Sequence, residues 1–170
     1  MRLEIVGGPF MTSVVLDTTI LAKLLIEPPR NLEPATYQRE LETRKKIEAI
    51  MDAIEKCNII VYFPRSGVVE LASVLKRAGF DREEIYQIIN AVYDNFNIFD
   101  EQIIYPKALE IAVEEAPSGF DTYFIALAQI MGSLLITDDK GMSHHARNLG
   151  QKTMLVRELT IKEIKDQLRC

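Results

Sequence analysis

The sequence predicts an α/β fold with a largely parallel sheet, and two observations carry that expectation. Short β-branched apolar runs recur along the 170 residues, and helical segments separate them. The runs are continuous rather than alternating, which marks strands buried on both faces.

Taken in order, Gly7-Gly8-Pro9 reads as a turn between two short segments, and Ser13-Val14-Val15-Leu16 is the first clear strand. Asp17-Thr18-Thr19 ends it, a short helix spans 20–26, and Pro28-Pro29 closes that helix. Residues 34–57 form a long charged segment whose Leu41, Ile47, Ile50, Ile54 and Cys57 recur at mostly helical spacing, as on an amphipathic surface helix. A second buried strand, Ile59 to Phe63, follows Asn58. Pro64 opens a helix that stops at Gly79. A helix from Asp81 to about Asn95, a strand at 97–99 and a helix over 101–115 come next. Pro117-Ser118-Gly119 then turns the chain into a strongly apolar helix near 120–131. The remainder reads as a strand at 134–137, a helix over 142–149, a strand at 153–156 and a last helix from Thr160. With no internal repeat, low-complexity tract or obvious linker, the expectation is one domain over 1–170. Its core covers about 13–156, the charged helical insert 28–57, and the C-terminal helix 157–170.

A hydrophobic content of 48% allows a sizeable core and argues against long disorder. The formal net charge of −5 argues against nucleic-acid binding over a generally basic surface, but leaves room for a local basic rim around an acidic pocket. Cys57 and Cys170 give neither a disulfide framework nor a thiolate metal spacing, and read as free thiols. No segment approaches the roughly 18 continuous apolar residues of a membrane span, and no signal peptide is evident. A soluble, cytoplasmic protein is expected.

Ligands in open parallel sheets bind beyond the carboxyl ends of the strands, where the strand order reverses. Two strands here end in acids at that edge: Leu16 leads into Asp17, and Thr137 into Asp138-Asp139. Each Asp alone is equally well read as a helix cap; a pair on equivalent edges weakens that reading. Asp121 opens a helix that is otherwise almost wholly apolar, and such a helix is buried. A favourable contact with the helix dipole would explain this acid without explaining the others. Glu70 falls beside the apolar stripe of Val68, Leu71, Val74 and Leu75, roughly 40° from Val74 on a helical wheel. From that edge it can lean toward a cleft or pair with Arg77 on the surface. Four convergent carboxylates repel one another, and a hard divalent cation removes the conflict. Such a set points to phosphoester hydrolysis; no Ser-His-Asp pattern, Walker loop or dinucleotide fingerprint is present.

The same residues resemble the motifs of PIN-domain nucleases. Val14-Val15-Leu16-Asp17-Thr18-Thr19 is similar to the first motif, and Phe63-Pro64 through Glu70 to Gly79 to the second. Phe120-Asp121-Thr122-Tyr123-Phe124 resembles the third, and Leu135-Ile136-Thr137-Asp138-Asp139 the fourth, all in family order. The resemblance implies a three-layer α/β/α sandwich around a mainly parallel, about five-stranded sheet, and a ribonuclease using Mg²⁺ or Mn²⁺. Many compact members are VapC-type toxins, working as homodimers and held inactive by a small antitoxin protein. Carried over by position, Asp17, Glu70, Asp121 and Asp139 are the implied catalytic metal ligands, with Asp138 the alternative to Asp139. Thr137 would orient the carboxylates or a water, and Thr18 would support Asp17.

Elsewhere, His144-His145 reads as two exposed or half-buried helix residues, because adjacent histidines point to different sides of a helix. Lys140, Arg147, Arg65, Lys76 and Arg77 are candidates for a phosphate-contacting rim, but none is singled out, so the RNA-binding residues stay unassigned. Tyr123 and Phe124 read as core. A non-catalytic PIN-like RNA- or protein-binding module would lack one of the acids, and none is missing. A Mg²⁺-dependent phosphatase would want a second Asp two residues after Asp17, where Thr19 stands.

Overall fold

The computed structural model describes residues 13–168, so the turn expected at Gly7-Gly8-Pro9 lies outside it. β1 (Ser13–Leu16) leads into α1 (Thr18–Leu25) and α2 (Pro34–Lys56), and β2 (Ile60–Pro64) into α3 (Arg65–Arg77) and α4 (Arg82–Asn95). β3 (Asn97–Phe99) is followed by α5 (Glu101–Glu115) and α6 (Gly119–Met131), and β4 (Leu134–Thr137) by α7 (Lys140–Asn148). β5 (Thr153–Leu155) ends in a 3-10 turn (Val156–Glu158) and α8 (Ile161–Leu168).

The five strands form one sheet in the order β3-β2-β1-β4-β5, and every pairing is parallel. The chain steps outward from β1 to β3, then returns to the other side of β1 for β4 and β5. Right-handed crossovers in the two directions place their helices on opposite faces of the sheet. The result is the expected α/β/α arrangement. Val14, Val15 and Leu16 have no solvent exposure, as a central strand covered on both faces requires. On one face α6 packs across β1, β2 and β4, and its Phe124 to Ala128 are buried.

The segment at 28–57 is dominated by α2, which packs on α1 and α8 and buries Ile47 and Ile50 completely. Cys57, just beyond its end, is not the free thiol the sequence suggested: it is disulfide-bonded. Spacing alone carried no signal for that bond, and Cys170 lies outside the described residues.

Gly67 fixes the fit between α3 and the core beneath it. A Cβ there would lie 2.7 Å from Cζ of Phe124 and 2.8 Å from Cε1 of Phe63. Those two rings pack edge-to-face, with centroids 5.4 Å apart, and neither is solvent-exposed. Gly67→Ala gains about 1 kcal/mol of helix propensity but forces overpacking. The expected net loss is up to about 2 kcal/mol, read as a lower urea midpoint at unchanged slope.

Candidate metal centre

The reversal of strand order lies between β1 and β4, so the carboxyl ends of these neighbours flank the crevice in which open sheets hold ligands. Asp17 directly follows β1, and its backbone N–H continues the ladder by donating to the Ile136 carbonyl at 2.9 Å. Asp138 and Asp139 follow β4. α3 departs from the same edge of β2 and carries Glu70 in its second turn. α6 runs into β4, so its first turn, with Asp121, returns to this edge too.

Asp17 is the most enclosed of these acids, with 3% of its surface exposed. Its Oδ2 accepts hydrogen bonds from the hydroxyls of Thr19 and, at 2.7 Å, Thr137. Burial raises the Asp17 pKa to about 6; the two hydroxyls oppose the rise, and the negative charges of Asp121 and Glu70 add to it. Asp121, capped at its amide by Ser118, is also raised, by burial first and then by the charges of Asp139 and Glu70. The four carboxylates thus share one electrostatic environment. Among the described residues, none of the four is in an ion pair. Nor do any three His, Cys, Asp or Glu side chains stand close enough, as placed, to enclose an ion. The acids gather at the carboxyl edge of the sheet without meeting.

The threonines divide the support between them. Thr18, expected beside Asp17, instead donates to Oε2 of Glu70 at 2.6 Å. Asp17 is held by Thr19, which the sequence reading passed over, and by Thr137. The Thr137 hydroxyl also accepts from the Asp139 amide at 2.9 Å, so one side chain fixes both strand ends.

The two neighbouring acids after Thr137 have opposite surroundings. Asp138 is buried and faces away into an ion-pair network. It accepts from Lys23 Nζ at 2.6 Å and from Arg157 Nη2 at 2.9 Å, while its Oδ1 takes the Arg157 backbone amide at 3.0 Å. Burial alone would raise its pKa, but hydrogen bonds from Arg157 and Lys23 hold the carboxyl below its usual range. Asp139 is exposed and caps α7, its Oδ1 accepting from the Met142 amide at 2.8 Å. Lys23 also bonds Glu40, so the network anchors α2. Of the two histidines expected to be exposed or half-buried, His144 is exposed and His145 is half-buried and bonded to Glu115.

The donor set suits a hard divalent cation. It is all oxygen, and Oδ1 of Asp17 has no hydrogen bond among the described residues. The nearby cations Lys23 and Arg157 are committed to Asp138, so among the described residues the mutual repulsion of the other acids is not relieved by an ion pair.

The PIN domain family model matches residues 14–148, a span that includes all four acids. No curated protein matches the chain. Among solved structures, FitAcB from Neisseria gonorrhoeae aligns with a TM-score of 0.53 at 19% identity, covering 86% of this chain and 99% of that one. PAE2754 from Pyrobaculum aerophilum aligns with a TM-score of 0.56 at 15% identity, covering 98% of this chain and 97% of that one. At such identities the likeness is one of fold. The family model, spanning most of the sequence and every strand-edge acid, carries the assignment: this chain belongs to the PIN-domain family.

Proposed function

We propose that this chain is a divalent-metal-dependent endoribonuclease hydrolysing RNA phosphodiester bonds. The observation that carries the reading is the buried Asp17, its pKa raised to about 6 near the charges of Asp121 and Glu70, with no cation paired to any of them among the described residues. Asp17, Glu70, Asp121 and Asp139 would hold Mg²⁺ or Mn²⁺; Asp138 is already neutralised by Lys23 and Arg157. The ion would polarise a phosphoryl oxygen and lower the pKa of a water. The protein's own part is positional. Thr19 and Thr137 aim Asp17, Thr18 aims Glu70, and the cap at Asp139 fixes the start of α7. The preference for RNA, the toxin role and the small antitoxin partner follow from the resemblance to VapC-type members. A single nuclease domain working in the cytoplasm fits the one sheet and the finding that no described helix is long and apolar enough to cross a membrane.

The reading is tested with purified protein and single-stranded RNA. Cleavage should require Mg²⁺ or Mn²⁺, stop with EDTA, and return when metal is added in excess; cleavage that persists in EDTA overturns it.

The homodimer has support in α5. Tyr105, Leu109 and Val113 recur every four residues on one face, and Val113 is 82% exposed. A solvent-facing apolar stripe of this kind marks an interface, here with a second copy of the chain. Leu109→Glu combined with Val113→Glu should halve the mass found by light scattering and leave the circular dichroism spectrum unchanged. A wild-type protein that is already monomeric sinks the dimer.

A further inference from the structure

The Glu115 carboxylate ties the turn that presents Asp121 to the helix that begins at Asp139, which α6 also meets at its far end through the Gln129 side-chain amide and the Leu149 carbonyl, 3.3 Å apart. α5 ends at Glu115, Ala116 takes a left-handed conformation with φ 50°, and Ser118 caps α6. A non-glycine residue in that conformation persists only where its surroundings hold it. Glu115, the residue just before Ala116, is itself anchored: its Oε2 accepts from Nδ1–H of His145 at 3.1 Å and from the side-chain amide of Asn148 at 3.2 Å, both on α7.

Helix physics makes a local purpose for Glu115 a poor explanation. An acid in the last turn opposes the helix dipole, and the last turn of α5 has no basic residue to offset it. The compensation comes from α7. Its two hydrogen bonds hold the Glu115 carboxyl below the usual range, the one from His145 counting most. His145 also lowers the otherwise raised Asp121, so the clasp and the acid crevice are electrostatically linked.

We propose that Glu115, gripped by His145 and Asn148, is a positioning residue that sets the separation between Asp121 and Asp139. The clasp rests on the metal-site reading above for those two acids. Its role is to present two ligands at a fixed span, without touching substrate.

Three variants test it: Glu115→Ala, His145→Ala and His145→Asn, the last retaining an N–H donor near the ring nitrogen's place. Mn²⁺ affinity is measured by calorimetry, and amide exchange at Thr122, which bonds the Ser118 carbonyl, is measured in EDTA. The two alanine variants should bind Mn²⁺ about 10-fold more weakly, the low end for loss of an outer hydrogen bond, because the clasp acts on the ligands through α6 and α7 without bonding them. Their Thr122 amide should exchange faster while the urea midpoint stays near wild type, and His145→Asn should recover most of the affinity. Unchanged Mn²⁺ affinity and Thr122 exchange in Glu115→Ala would overturn the clasp. Wild-type protein that binds no Mn²⁺ would instead count against the metal site, and the exchange rates would then decide the clasp alone.

Discussion

Asp17→Asn is expected to lose metal-dependent RNA cleavage by about three orders of magnitude or more, while making the metal-free protein more stable at neutral pH. The loss follows from removing the charge of the most enclosed of the proposed ligands, at a site where metal chemistry would supply several kcal/mol of transition-state stabilisation. The gain in stability follows from the raised pKa. Asn retains an oxygen to accept from Thr19 and Thr137, so the scaffold of the site survives. It does not carry the charge that burial and the neighbouring acids penalise. For an acid whose folded pKa lies above its unfolded value near 3.9, the cost of ionisation is absent at low pH. The cost grows as pH rises toward about 6 and is complete above it. A shift of roughly two units corresponds to about 3 kcal/mol, taken as an upper figure. Urea denaturation in EDTA should therefore show the variant ahead of wild type at pH 7.5 and level with it at pH 4. Added Mn²⁺ should stabilise wild type and leave the variant unmoved, because only an intact site gains from mass action. Cleavage retained by the variant would remove Asp17 from the site; an equal stability advantage at both pH values would show that its carboxylate is not strained by burial.

The burial that should make an inactivating change stabilising is also what made the candidate acids stand out in the sequence. A carboxylate after a buried strand is a local oddity, and Asp17 and the Asp138-Asp139 pair stood out against apolar runs with turn signals around them. Glu70 was readable for a related reason: helical periodicity fixed its place beside the stripe of Leu71 and Leu75. The parallel sheet was legible because Val14, Val15 and Leu16 are apolar without alternation, a pattern that only cover on both faces explains. What escaped depends on partners distant in the chain. Thr18 and Thr19 are adjacent and chemically alike, yet Thr18 reaches Glu70, 52 residues away, while Thr19 reaches back to Asp17. His145 could not be matched to Glu115 from spacing, since the fold brings together residues 30 apart on separate helices. The resemblance favoured Asp139 over Asp138 by position, but the physical difference between them is the location of Lys23, 115 positions earlier, and of Arg157.

That difference gives Asp138 its own expected phenotype. Asp138→Ala should lower stability by about 3 kcal/mol, the lower end of the cost of breaking a buried ion pair. The lower end applies because Lys23 and Arg157 each keep about a quarter of their side chain in solvent, at 25% and 24% exposed, and can be partly hydrated once abandoned. The Arg157 backbone amide, which bonds Oδ1 at 3.0 Å, would lose its acceptor as well. Asp138→Asn should cost less, since the amide oxygen can still accept, and should change the pH profile. The wild-type pKa is lowered, so its contribution is present above the unfolded value near 3.9 and is lost as pH falls through the lower folded value. The Asn variant has no such loss, so its deficit in urea midpoint should be largest at neutral pH and shrink in acid. Asp139→Asn is the counterpart. It gives up at most a helix cap, about 1 kcal/mol, because Asn also caps well, but it should lose cleavage and weaken Mn²⁺ binding. The two variants should therefore cross, with Asp138→Ala less stable yet retaining Mn²⁺ binding while folded, and Asp139→Asn stable but inactive. The reverse pattern would make Asp138 the ligand and require Lys23 and Arg157 to release it when metal arrives.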